Sequence, residues 1–101
     1  MALTVYWTKR ADKKLSSITD YLNREWGEVV VKNFVKILDE FLDILSEFPE
    51  IGSIENPHKN IRGFVVVKQL TLFYRMKKDK IIILNLFDNR QNPKKRRVYI
   101  Q

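Results

Sequence analysis

Apolar positions along the chain follow two periods, and the switch between them marks out the elements. Residues 3–7, LTVYW, make a short β-type run, and Thr8 is a residue type that caps helices. From Lys9 the apolar residues Ala11, Leu15, Ile18, Leu22 and Trp26 recur at helical spacing, with Lys9, Lys13, Asp20 and Arg24 mostly off that face. Gly27 supplies a stop that takes positive φ at little cost. A second helical stripe follows almost at once. Val30, Phe34, Ile37, Leu38, Phe41, Leu45 and Phe48 oppose a wet face of Asp39, Glu40, Asp43 and Glu47. Pro49 cannot continue the hydrogen-bond ladder and ends it. Two helices joined at one glycine fold back as a hairpin.

After a turn at Pro49–Gly52 and a polar loop over 53–60, the period becomes that of strands. Three runs rich in Val, Ile, Leu, Phe and Tyr (61–67, 70–76 and 81–87) are broken only by Lys68-Gln69 and by Lys77–Lys80, which predicts an antiparallel β-meander. In the second run Leu70, Leu72, Tyr74 and Met76 oppose Thr71, Phe73 and Arg75. In the third, Ile82, Leu84 and Leu86 oppose Ile81, Ile83, Asn85 and Phe87. Both faces of that strand are apolar, and a helical hairpin covers only one. The other face needs a cover, from the neighbours of the N-terminal strand or from another chain. The predicted fold is α+β in the order β-α-α-β-β-β, a helical hairpin packed on a small curved antiparallel sheet. With no repeat and no low-complexity stretch, residues 1–101 read as one domain with a basic tail at 94–101.

Composition narrows the chemistry. At 45% hydrophobic and 31% charged residues the chain is globular in type. It has no cysteine, and its one histidine, His58, has no partners at metal-ligand spacing, so neither a disulfide, a metal site nor a cofactor is expected. No apolar run approaches the roughly 20 residues that span a bilayer. The opening MALTVYWTKR lacks the layout of a signal peptide. The expectation is a cytoplasmic protein without a membrane partner.

Charge is unevenly distributed. Through His58 there are 7 Lys and Arg against 10 Asp and Glu, a net of −3; from Lys59 there are 12 against 2, a net of +10. The C-terminal half therefore faces either a polyanion or acidic partner, or solvent along a sheet edge. The last strand runs into Asp88-Asn89-Arg90-Gln91-Asn92-Pro93 and then Lys94-Lys95-Arg96-Arg97, so the greasy sheet delivers arginines and amides at its edge.

This ordered set of features resembles the RelE/ParE superfamily of type II toxins. The first helix with Ala11, Asp12, Leu15, Ile18 and Tyr21, then Trp26, looks like the family's first helix. Leu45 through Pro49 and Gly52 looks like its helix exit. Ile61-Arg62, Phe73-Tyr74-Arg75 and Ile81-Ile82-Ile83-Leu84 look like its meander, and Asp88 through Pro93 like the R-x-x-P ending of ParE-like members. The resemblance spans nearly the whole chain. It implies a growth-inhibiting toxin, of the kind tied to plasmid stabilization, held in a toxin–antitoxin hetero-oligomer by a cognate antitoxin that wraps it. ParE-like members poison DNA gyrase; RelE-like members are endoribonucleases that cleave mRNA on the ribosome.

The two branches make different demands on the residues. Cleavage through the 2′-hydroxyl needs a base, cations for the phosphorane and an acid for the leaving oxygen. The ribonuclease reading draws catalytic candidates from Arg62, Arg90 and Tyr99. Where RelE-like members carry an arginine three positions before the strand tyrosine, this chain has Thr71, and the variant that needs a C-terminal histidine is also unmet. These departures favour the ParE side and a site that binds rather than cleaves. Its candidates are Lys59, Arg62, Arg75, Arg90, Gln91, Lys94, Lys95, Arg96 and Arg97. Several have a plainer alternative. Arg62 can pair with Asp88 across the sheet, Arg75 can be solvated charge, Gln91 can be a turn residue, and the basic run can be a solvated tail or a binder of phosphates. Trp7 and Trp26 read as core and His58 as exposed.

Overall fold

The computed structural model describes residues 3–90 and 93–100. The elements are β1 (Thr4–Trp7), α1 (Lys9–Trp26), α2 (Glu28–Glu47), β2 (Ser53–Asn56), β3 (Ile61–Val67), β4 (Leu70–Lys77) and β5 (Lys80–Asp88), then a 3-10 turn (Pro93–Lys95) and a one-turn helix, α3 (Arg96–Tyr99). The strands form one sheet in the order β1-β5-β4-β3-β2. The expected α+β plan of a helical hairpin packed on a β-meander is present, with two corrections. The sheet is mixed, because β1 lies parallel to β5, Thr4 opposite Lys80 and Trp7 opposite Ile83. The segment expected to be a polar loop contributes a strand, β2, antiparallel to the start of β3.

Local chemistry accounts for the joints. Thr8 caps α1 by accepting from the Ala11 N–H at 3.2 Å, and its hydroxyl donates to the Ile83 carbonyl at 2.9 Å, so the cap also fastens the helix to β5. Gly27 separates the helices with φ +90°, a conformation that L side chains rarely adopt. The β4–β5 hairpin is tighter than the sequence pattern indicated: Lys77 and Lys80 pair within the ladder, and Lys78 takes φ 58° at the turn.

The main core lies between the hairpin and one face of the sheet. It is built from Ala11, Phe34, Leu38, Phe41 and Leu45 against Leu70, Leu72, Tyr74, Ile81, Ile83 and Leu86. The helical stripes are narrower than their sequence pattern. Trp26 is 67% exposed and Phe48 63%, and Val30, Ile37 and Ile44 also reach solvent. Trp26 is therefore not a core residue; Trp7, half-buried, does pack against the core.

Strand β5 does not alternate throughout. Phe73 is opposite Asn85 while Tyr74 is opposite Ile83, which leaves Leu84 as the extra residue of a β-bulge. A bulge reverses the inside–outside parity. Ile81 and Ile83 precede it on the helix side, Leu86 follows it on the same side, and Leu84 and Phe87 fall to the opposite face with Ile61 and Phe73. Asn85 closes the irregularity by accepting from the Leu86 N–H at 2.9 Å.

One buried phenol ties the exit of α2 to the sheet. Tyr74, fully buried, accepts from the Gly52 N–H at 2.9 Å and donates to the Pro49 carbonyl at 2.7 Å. Arg62 reinforces the knot by donating to the Gly52 carbonyl at 2.8 Å and the Glu50 carbonyl at 3.1 Å. A Cβ at Gly52 would lie 2.6 Å from the Tyr74 hydroxyl, so the backbone approaches as closely as it does only because the side chain is absent. Burial pushes the Tyr74 pKa above its ordinary 10.0, with the Gly52 N–H and the Arg62 charge opposing.

Two outcomes test this knot and the hairpin. Tyr74→Phe strands the Gly52 N–H and the Pro49 carbonyl and costs about 1–3 kcal/mol in urea unfolding at neutral pH. Because the folded pKa of Tyr74 is raised, its contribution is complete below the ordinary value of 10.0 and is lost as pH rises through the folded value, so the gap between the two proteins narrows in alkali. Lys78→Gly relieves the left-handed backbone strain, partly offset by glycine's entropy, and stabilises by about 0.5–1 kcal/mol in the same measurement.

Candidate functional site

The basic C-terminal run is built into the fold. The guanidinium of Arg96 forms an ion pair with Glu55 of β2 and lies 5.3 Å over the ring of Phe73. Asn56 donates from Nδ2 to the Ile100 carbonyl at 2.6 Å. Tyr99 meets Phe87 edge-on at 5.0 Å and Phe73 at 6.3 Å. With Tyr99 and Ile100, this turn covers the second apolar face of the sheet, Ile61, Phe73, Leu84 and Phe87. The cover expected from strand neighbours or another chain comes from the chain's own end. The basic run is thereby divided: Arg96 is half-buried as an anchor, while Lys94, Lys95 and Arg97 stay exposed on the turn.

Beside the turn lies a cleft of about 310 Å³ lined by Arg10, Lys13, Lys14 and Ser17 of α1, by Asn85 of β5 and by Tyr99 of α3. The three cations and the serine fall at helical spacings of three, four and seven and share one side of α1. Only Tyr99 among these belonged to the sequence-derived candidates. Four cations within residues 9–14 are the sequence signal that points to the rest, but it was averaged away in the net −3 of the first 58 residues.

At the exit of β5, Arg90 and Asp88 form a two-pronged ion pair, Nη2 to Oδ2 at 2.8 Å and Nε to Oδ1 at 3.0 Å. The Arg90 N–H also donates to Asp88 Oδ1 at 2.9 Å. The hydrogen bond from Arg90 holds the Asp88 carboxyl below the usual carboxylate range, and Asp88, with Tyr21 beyond it, keeps the guanidinium charged. Thr71, buried, donates to Asn89 Oδ1 at 2.7 Å, and Asn89 donates from its backbone to the Gln69 carbonyl at 2.7 Å and from Nδ2 to the Lys68 carbonyl at 3.2 Å. Thr71 thus pins the β5 exit to the β3–β4 hairpin through Asn89.

The structure separates the catalytic candidates. Arg62 alternates with Ile61 and Gly63 and turns to the helix side, where it holds the carbonyls of the α2 exit. Tyr99 packs on the opposite face, and Arg90 is exposed beyond β5 in its fork with Asp88. They do not converge on one point. The alternative pairing of Arg62 with Asp88 is not formed either. Lys59 is exposed in the β2–β3 loop, its backbone N–H donating to Asn56 Oδ1 at 3.2 Å. Arg75 is half-buried on β4, with Nε enclosed and unpartnered. Gln91 lies outside the described residues, as does Asn92. Among the described residues no three His, Cys, Asp or Glu side chains are placed to hold a metal ion, and no helix is long and apolar enough to cross a membrane.

The fork gives a pH signature. The folded pKa of Asp88 is depressed, so its contribution is present above the ordinary carboxylate value and is lost as pH falls through the lowered folded value. The stability advantage of the wild type over Asp88→Asn, followed by urea midpoints, disappears in acid over that window and is constant from there to neutrality.

A family model matches the sequence and solved structures match the fold. The family model described as ParE toxin of the type II toxin–antitoxin system, parDE, matches residues 5–93. No curated protein matches the chain significantly. A chain of the chromosomal ParDE toxin–antitoxin system from P. aeruginosa superposes with a TM-score of 0.71 at 21% identity, covering 86% of this chain and 96% of that one. A chain of the toxin–antitoxin complex RelBE2 from Mycobacterium tuberculosis gives 0.61 at 16% identity, covering 87% and 99%. A conserved hypothetical protein from Helicobacter pylori gives 0.57 at 18% identity, covering 88% and 97%. At these identities the structures show the fold alone, and the family match adds the kinship: the chain belongs to the ParE toxin family of type II toxin–antitoxin systems.

Proposed function

We propose that this toxin acts in the cytoplasm by binding DNA gyrase, that it inhibits growth in this way, and that a cognate antitoxin neutralises it. The observation that carries the binding reading over the ribonuclease reading is the separation of Arg62, Arg90 and Tyr99. Base, acid and phosphorane cation must all reach one phosphodiester, and these three side chains are divided between the two faces of the sheet and the exit of β5. A binding surface has no such requirement. Lys59, Arg90, Lys94, Lys95 and Arg97 are exposed and offer positive charge to a partner, with Arg96 setting the turn that carries them. Arg62 supports this surface indirectly, by fixing the loop that leads into β2, and Arg75 is half-buried on β4.

We read the exposed apolar patch on α2 as the seat of the antitoxin. Val30, Ile37 and Ile44 recur every seven residues beside the buried stripe, and Phe48, Ile51 and Ile54 extend the exposed patch to the edge strand β2. A patch of this kind suits an amphipathic helix followed by an added strand. Two of the similar folds come from a toxin–antitoxin system and a toxin–antitoxin complex, which agrees with a partner of that type.

The test is pulse labelling of DNA and protein synthesis after induction of the chain alone in a bacterial host. DNA synthesis is expected to fail first, with broken DNA accumulating. Collapse of protein synthesis first would replace gyrase by the ribosome and its mRNA as the target.

A further inference from the structure

The cleft between α1 and the C-terminal turn carries more than positive charge. Arg10, Lys13 and Lys14 project from one side of the helix, and among the described residues none of them makes an ion pair or a side-chain hydrogen bond; Lys14 feels Asp88 only at longer range. Like charges at these spacings repel one another. No acidic side chain lines the cleft to relieve them.

Asn85 gives an independent indication. It is only 9% exposed, and its Oδ1 is taken by the Leu86 N–H at 2.9 Å. That bond fixes the amide, since an N–H requires an oxygen opposite it. The NH₂ group is left as a donor with no protein acceptor among the described residues, in a side chain that lines the cleft. With the Ser17 hydroxyl, every polar group around the space is able to donate. A phosphate supplies the charge and the several acceptor oxygens that such a set requires, whereas a carboxylate has two oxygens and a single charge. At about 310 Å³ the cleft is larger than a bare ion needs, and the Tyr99 ring forms an apolar wall for an attached sugar or base.

We propose that this cleft binds the phosphate group of a nucleotide unit, either a free nucleotide or one unit of a nucleic-acid strand. The proposal does not rest on gyrase as the target. Arg10, Lys13, Lys14 and the Asn85 NH₂ hold the phosphate oxygens, Ser17 adds a further donor, and Tyr99 bounds the nucleoside side.

The experiment titrates the full chain, labelled with ¹⁵N, with inorganic phosphate, ATP and a short single-stranded oligonucleotide. The Asn85 side-chain amide resonances are expected to shift saturably. Replacing all three cations (Arg10→Gln, Lys13→Gln, Lys14→Gln) is expected to weaken binding about tenfold or more, the loss of at least one charge-assisted hydrogen bond. A charge-matched control at exposed positions elsewhere (Lys36→Gln, Lys68→Gln, Lys77→Gln) is expected to change it by less than about twofold at physiological salt. Saturation by ATP with these dependences assigns the site to free nucleotides. Saturation by the oligonucleotide alone, with an affinity falling steeply with salt, assigns it to a strand. Equal losses in the two triple variants, an Asn85 amide unmoved by all three phosphate ligands, or an equally strong response to a glutamate-rich peptide would overturn the proposal.

Discussion

Strand β5 presents apolar side chains on both faces, and a small sheet has water on any face that is not covered. The helical hairpin shields Ile81, Ile83 and Leu86; the C-terminal turn shields Phe87 and Leu84. The bulge at Leu84 is what divides the strand between the two covers, because it moves Leu86 back to the helix side after an odd step. Without the parity change, Leu86 would face the turn and Phe87 the helices. The placement of Asn85, the seat of Tyr99 and the cleft between α1 and α3 all follow from that single extra residue.

Much of the architecture was legible in the pattern of residues. The 3.6-residue stripes of both helices, the glycine between them, the proline after them and the three β-rich runs each matched a local preference that the tertiary structure kept. What escaped was set by long-range pairing. β2 reads as a polar loop because Ser53, Glu55 and Asn56 have little strand preference; it is a strand because β3 offers an edge and Glu55 meets Arg96. The parallel contact of β1 with β5 joins the two ends of the sequence, which no local period can encode. Val30, Ile37 and Phe48 fit a helical stripe as well as Phe34 and Leu38 do, yet the sheet is wide enough to bury only the latter pair.

The functional residues divide along the same line. Candidates drawn from their position near the sheet edge, such as Arg62 and Arg96, turn out to be committed to internal contacts, with carbonyls in one case and with Glu55 and Phe73 in the other. The donor-lined cleft went unread because its parts come from three separate stretches, of which only the cations at 9–14 stand out in the sequence. Arg10, Lys13 and Lys14 look like the solvated side of an amphipathic helix until the last strand and the terminal turn are set beside them.

The pairing of β1 with β5 also has a consequence in time. The Thr8 hydroxyl reaches the Ile83 carbonyl across 75 positions of sequence, so β1 has no partner until β5 has been made. The helical hairpin rests on local contacts and can form early, whereas closure of so long a loop comes late. During synthesis the sheet therefore remains open at one edge and the cleft remains without two of its three walls. A nascent or truncated chain ending before residue 80 retains the cations of α1 but has nothing to set against them, and whatever activity depends on that juxtaposition begins only after β5 and α3 have been made.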